Sequence, residues 1–196
     1  MNKNQKMIVE LVIQPLIAAI YIALLAAFQF MSFAEIQFRI AEILLILVIF
    51  SPKHAIGILV GTFLGNLILS PYGIVDAAFG TLASAVAIGI MLPLRKIPPL
   101  ALIGPVVANA LIVPIYVIWV WISPELAVIS FSPFNFSLAM FSTSLYWAFA
   151  GWVALGQFSV LYLLGLPVYF FLRKHEYINE LLIGNYEHLN SVDKTD

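Results

Sequence analysis

The stretch FRIAEILLILVIF, residues 38–50, sets Arg39 and Glu42 three positions apart in an otherwise apolar run. On an α-helix that spacing puts both charges on one face. They can neutralise each other there and staple helices together, or they can line a pocket and meet a polar solute. Four further polar residues stand isolated in apolar text: Asn66, Asp76, Asn109 and Gln157. A carboxylate only accepts hydrogen bonds, a guanidinium only donates, and an amide does both, so this set can read the polar edge of a small molecule. Bond-breaking chemistry has no comparable support. The histidines are His54, His175 and His188, and His175-Glu176 lacks the second histidine of a zinc-protease motif. No serine lies in a GxSxG context, and no catalytic residue is assigned. The chain has no cysteine, which removes disulfides, thiolate catalysis and thiolate metal sites together.

The elements that must position these residues are membrane helices. Of 196 residues 63% are hydrophobic and only 10% charged, a composition that a water-soluble core does not account for. Breaking the text at Pro, Gly, Ser and charge clusters gives six apolar segments, at about 13–31, 36–51, 54–70, 74–94, 100–122 and 142–172. A span needs roughly 20 residues, so the chain has room for about six, of which the second and third are short. The expected fold is an all-α integral membrane protein with six transmembrane helices. Residues 1–175 form a single membrane-embedded domain, and 176–196 a short polar cytoplasmic tail.

Basic residues orient that fold. Lys3, Lys6, Lys53, Arg95, Lys96, Arg173, Lys174 and Lys194 all fall on one side of a six-helix topology, whereas 32–35, 70–73 and the long connection at 123–141 contain no Lys or Arg. The positive-inside rule then predicts both termini inside, in a multi-pass protein of the cell membrane. Arg39 is the exception, at the outer end of the second helix. Lys3 and Lys6 followed by an apolar run and Ser32-Phe33-Ala34 also admit a signal-peptide reading, but the run is longer than a usual signal core, which favours a retained helix.

With about 1.5 Å of rise per residue, Arg39, Glu42, Asn66 and Asp76 lie in the outer half of the bundle, and Asn109 and Gln157 nearer its middle. Charges at such depth face protein or water rather than lipid. Tyr146, Trp147 and Trp152 occupy the outer part of the sixth helix. Trp147 and Trp152 cannot face the same direction, so one is a candidate for stacking on a planar ligand while the other meets lipid. An interfacial belt explains Trp119 and Trp121. Two small-residue stripes complete the pattern. Gly57, Gly61 and Gly65 suit packing within the bundle, and Ala19, Ala23 and Ala27, flanked by Ala18 and Ala26, suit either packing or a partner.

The segments IQFRIAEILLIL, SPKHAIGILVGTFLGNLI and GIVDAAFGTLAS, followed by PPLALIGPVVANALIV and GWVALGQFSVLYLLGLPVYFFLRK, resemble the central signature of the QueT family. The resemblance covers all six predicted helices, omitting the termini and 123–141. That family comprises proposed queuosine-precursor transporters, substrate-binding S components of energy-coupling factor (ECF) importers. The resemblance implies an ECF S-component-like bundle with an outward-facing pocket. It also implies a transmembrane coupling subunit and two cytoplasmic ATPases as partners, with Ala19, Ala23 and Ala27 resembling the docking face for the coupling subunit. No GxxxxGK(S/T) motif occurs in the chain, in keeping with ATP hydrolysis on another subunit. No cofactor, metal or nucleic-acid partner is implied.

The implied solute is a 7-deazaguanine such as the aminomethyl precursor of queuosine. Glu42 would accept its two adjacent N–H donors, with Asn66, Asn109 or Gln157 answering the carbonyl. Asp76 would balance an aminomethyl cation, Arg39 would hold Glu42 or contact solute, and Tyr146, Trp147 or Trp152 would stack on the ring. One departure stands out: where the family is expected to carry a glutamate in a GLGE-like stretch, this chain reads Ala154-Leu155-Gly156-Gln157. That keeps open an S component for another vitamin or a pyrimidine precursor. A stand-alone secondary transporter or channel is the alternative of another class, though neither broken helices nor paired repeats are visible. A purely structural membrane protein leaves the outer polar cluster without a purpose.

Overall fold

Apolar runs with the length of a bilayer crossing dictate the architecture. The computed structural model describes residues 3–33, 37–122 and 144–184, the side chains of 3–6 and 119–122 excepted. Helix α1 (Lys3–Ala27) is followed by a short turn of helix, α2 (Gln29–Ser32). After the irregular residues 37–39 comes a 3₁₀ segment, Ile40–Leu45, that runs into α3 (Ile46–Phe50). A 3₁₀ turn (Pro52–His54) leads into α4 (Ala55–Leu69), and α5 (Ile74–Leu94), α6 (Pro98–Ala101) and α7 (Ile103–Ile122) follow. The last long helix comprises α8 (Ser144–Phe158), a π-helical stretch (Ser159–Gly165) and α9 (Leu166–Lys174), with α10 (Glu176–Ile183) beyond it. There is no strand among the described residues. Among the described residues five helices are long and apolar enough to cross a membrane, at Met7–Ala27, Pro52–Leu69, Ile74–Leu94, Pro98–Ile118 and Ser144–Lys174. The protein is an all-α, multi-pass membrane protein.

The second expected helix departs from expectation. Instead of one helix over 36–51 it is an irregular entry, six residues of 3₁₀ helix and five of α-helix. Pro52 ends it, because the residue before a proline is pushed out of the helical region, and Ser51 is extended at φ −147° and ψ 130°. This short element is the centre of the bundle. Ala41, Glu42, Leu45, Ile46 and Val48 are buried, as a helix apolar on all sides requires. Around it α1 packs on α4, α4 on α5, α5 on α7 and α7 on α8. The 3₁₀ segment touches α1, α4 and the π stretch.

The glycine stripe of α4 faces α1, as expected for packing within the bundle. A Cβ on Gly57 would come within 2.6 Å of the Gln14 carbonyl oxygen, and one on Gly61 within 2.8 Å of Tyr21 Cβ. These helices approach so closely only because glycine stands there. In the last helix, Pro167 has no N–H for the ladder, and the π-helical turn lies immediately before it. The helix α10 occupies the start of the expected polar tail, and His54 Nε2 lies 2.8 Å from the Leu182 carbonyl oxygen near its end. The connection at 123–141, the end of the tail at 185–196, and the side chains of Trp119 and Trp121 lie outside the described residues.

Candidate functional site

Of the polar residues picked out by type, Arg39, Glu42, Asn66, Asp76 and Asn109 come together, at the end of the bundle shared by the C-terminal ends of α1 and α4 and the start of α5, and Gln157 is buried on α8. Arg39, just ahead of the 3₁₀ segment, has a non-helical backbone (φ −80°, ψ 82°). It reaches Asp76 in the first turn of α5. Nη2 donates to Asp76 Oδ1 at 2.9 Å and to Oδ2 at 3.2 Å, with both residues essentially sealed from solvent. The Tyr116 hydroxyl from α7 donates to the same Oδ1 at 2.5 Å and accepts from Arg39 Nη2 at 3.2 Å. The Phe33 ring lies 5.7 Å from the guanidinium carbon, within cation–π range. The direct Arg39–Glu42 pairing allowed by the i, i+3 spacing is therefore replaced by a pair between elements. Asp76, cast from sequence as the counter-charge for a ligand cation, is engaged by Arg39 and Tyr116.

Glu42 is held differently. Its Oε1 accepts from the Tyr21 hydroxyl of α1 at 3.2 Å and, at 3.5 Å, from Ser84 of α5. Asn109 of α7 faces the same carboxylate without a hydrogen bond of good geometry. Asn66 Nδ2 donates to the Asp76 backbone carbonyl at 3.3 Å. Gly80 stands against this group, since a Cβ there would fall 2.5 Å from Asn66 Nδ2, 3.0 Å from Asp76 Oδ1 and 3.4 Å from Arg39 Nη1.

What marks this set as more than a staple is the number of polar atoms that the protein leaves unanswered. Glu42 Oε2, Arg39 Nε and Nη1, Asn66 Oδ1, and both amide atoms of Asn109 and of Gln157 are buried without a hydrogen-bond partner among the described residues. A buried polar atom without a partner costs about 1–3 kcal/mol, more if charged, and native folds tolerate few. Eight such atoms on five expected site residues point to a ligand that supplies the missing partners.

The aromatic candidates separate. Tyr146 is buried, and its hydroxyl donates to the Leu111 carbonyl at 2.8 Å, close to the gap that Pro114 leaves in the α7 ladder. Trp147 and Trp152 are 57% and 47% exposed and lie on the outside of the bundle, so the structure does not bring them to the buried polar set. The rings that do border it are Tyr116, stacked on Phe79 at 5.7 Å, and Tyr72, edge-on to Tyr116 at 6.3 Å.

Residue types alone missed Tyr21, Ser84 and Tyr116. Helical spacing carried the signal for two of them. Asp76, Gly80 and Ser84 fall at steps of four, and Asn109 and Tyr116 lie seven apart, so each set shares one face. Tyr21 had no such partner on α1. Ala19, Ala23 and Ala27 are exposed, whereas Ala18 beside them is buried against the Gly61 position. Among the described residues no three His, Cys, Asp or Glu side chains gather to hold a metal.

No curated protein and no solved structure matches the chain. The model of the QueT transporter family matches residues 11–174, a span that includes Arg39, Glu42, Asn66, Asp76, Asn109 and Gln157. The chain therefore belongs to the QueT transporter family.

Proposed function

We propose that this transporter is the substrate-binding S component of an ATP-driven ECF importer, and that its solute is a 7-deazaguanine precursor of queuosine. The carrying observation is the buried set of unanswered donors and acceptors on Arg39, Glu42, Asn66, Asn109 and Gln157. A guanine-like edge supplies two adjacent N–H donors and a carbonyl. Glu42 Oε2 is an acceptor for the first, and the free Arg39 nitrogens and the two amides are donors for the second. Site and solute thus each supply what the other lacks.

The coupling subunit and the two ATPases belong to the same proposal. Support comes from the exposed stripe Ala19, Ala23 and Ala27, which lets a partner helix approach closely. With both termini inside, as the basic residues imply, the polar cluster lies in the outer half of the bundle, on the side from which an importer takes its solute.

A second reading keeps the S-component role and changes the solute. It is favoured by Gln157, an unpaired buried amide at the position where the resemblance leads to a carboxylate. Calorimetric titration of the purified protein with aminomethyl-7-deazaguanine, guanine and a pyrimidine vitamin precursor separates the two. Binding of the deazaguanine alone is expected, and binding of the pyrimidine alone would transfer the assignment. Co-purification with an ATPase module tests the importer class, and uptake without one would make the protein a stand-alone transporter.

A further inference from the structure

Gln37 stands two positions ahead of Arg39, where the chain enters the bundle, and carries two costs at once. Its φ is 50°, and among the described residues it is the one non-glycine residue with a positive φ. Side chains disfavour that region because Cβ crowds the following carbonyl oxygen, a penalty from which glycine is free. The side chain is also buried, at 5% exposure, and its Oε1 has no hydrogen-bond partner among the described residues.

The backbone here has a clear structural task. The Arg39 N–H donates to the Gln37 carbonyl oxygen at 2.9 Å and the Ile40 N–H to that of Phe38 at 3.0 Å, two successive three-residue turns. They lead the chain into the 3₁₀ segment and keep Gln37 beside Arg39 in space as well as in sequence. That task asks nothing of an amide. Glycine would make the same turn without crowding and without an unanswered oxygen. A glutamine here needs a reason beyond the turn, and backbone outliers of this kind cluster at ligand sites.

Arg39 supplies the context. Its Nε and Nη1 are buried and unpartnered, yet they do not meet the equally unpartnered Gln37 Oε1. Donors and acceptor two residues apart are each left for another molecule. We propose that Gln37 is a further solute-binding residue, its amide oxygen accepting an N–H of the base that Glu42 does not take. A 7-deazaguanine has one such donor on its pyrrole ring, besides the pair on its guanine-like edge. The turn then holds the amide in place before the solute arrives, which lowers the ordering cost of binding.

This inference rests on reading the buried polar set as the solute site, and its test separates the two. Calorimetric titration with aminomethyl-7-deazaguanine compares wild-type protein with Gln37→Gly, Gln37→Met and Glu42→Gln. Glycine relieves the backbone and methionine retains its strain, but neither carries the amide, so both variants should bind about threefold to tenfold more weakly. Wild-type affinity in either one, beside weakened binding by Glu42→Gln, overturns the role of Gln37 and leaves the site standing. Unchanged affinity in Glu42→Gln as well overturns the reading of the site.

Folding stability supplies a ligand-free arm, which also decides if wild-type protein binds no deazaguanine and the proposed solute falls by itself. Gln37→Met exchanges an unanswered buried oxygen for an apolar group of similar size, so it should resist denaturing detergent at least as well as wild type. A clearly less stable Gln37→Met protein would show that the amide already has its partner within the fold, and would overturn the proposal.

Discussion

Replacing Tyr116 by Phe isolates the hydroxyl that ties Arg39 to Asp76. The ring stays, so its stacking on Phe79 and its edge contact with Tyr72 are retained, and no cavity opens. Two bonds are lost, the 2.5 Å donation to Asp76 Oδ1 and the 3.2 Å acceptance from Arg39 Nη2. Asp76 keeps both of its bonds from Arg39, so the ion pair survives and the lost quantity is close to one charge-assisted hydrogen bond, about 1.5–3 kcal/mol. Unfolding by denaturing detergent should register that loss. Because the guanidinium loses one of the groups that orient it, solute affinity should also fall, by about threefold to tenfold. A Tyr116→Phe protein as stable as wild type and binding as tightly would refute the argument, since the hydroxyl would then stand outside the network.

Three other substitutions probe separate parts of the account. Gly61→Val should separate α1 from α4 and destabilise the fold by about 1–3 kcal/mol in the same unfolding assay, whereas Gly89→Ala, with nothing within 4 Å of its Cβ position, should not. Ala23→Leu on the exposed stripe should abolish co-purification with the ATPase module yet leave solute titration unchanged, separating docking from binding. Trp152→Ala should leave the solute Kd within about twofold, because its exposed ring lies off the polar set.

The fold class was legible because bilayer thickness converts directly into the length of an apolar run, and Pro and Gly mark the breaks. Residues 36–51 were misread for a physical reason. A short apolar run buried on all sides has no amphipathic period to show where helix gives way to irregular chain. Gln37, at φ 50°, and Arg39 lie in that irregular entry. Arg39 is consequently aimed at Asp76, a partnership that no local spacing reveals because it depends on how α5 approaches. Glu42, Asn66, Asn109 and Gln157 could be named from type alone, since an isolated polar group in a membrane segment must face the interior. Trp147 and Trp152 could not be placed, because indole rings suit a lipid-facing surface as well as a binding site.

The most direct test of the central claim, that this buried polar set is the solute site, is an experimental structure of the protein with aminomethyl-7-deazaguanine bound. The account predicts the base among Arg39, Glu42, Asn109 and Gln157, with its N–H edge within hydrogen-bond distance of Glu42 Oε2 and the Arg39–Asp76–Tyr116 contacts intact. A base bound elsewhere, with Glu42 Oε2 and the Asn109 and Gln157 amides still unanswered, would contradict it.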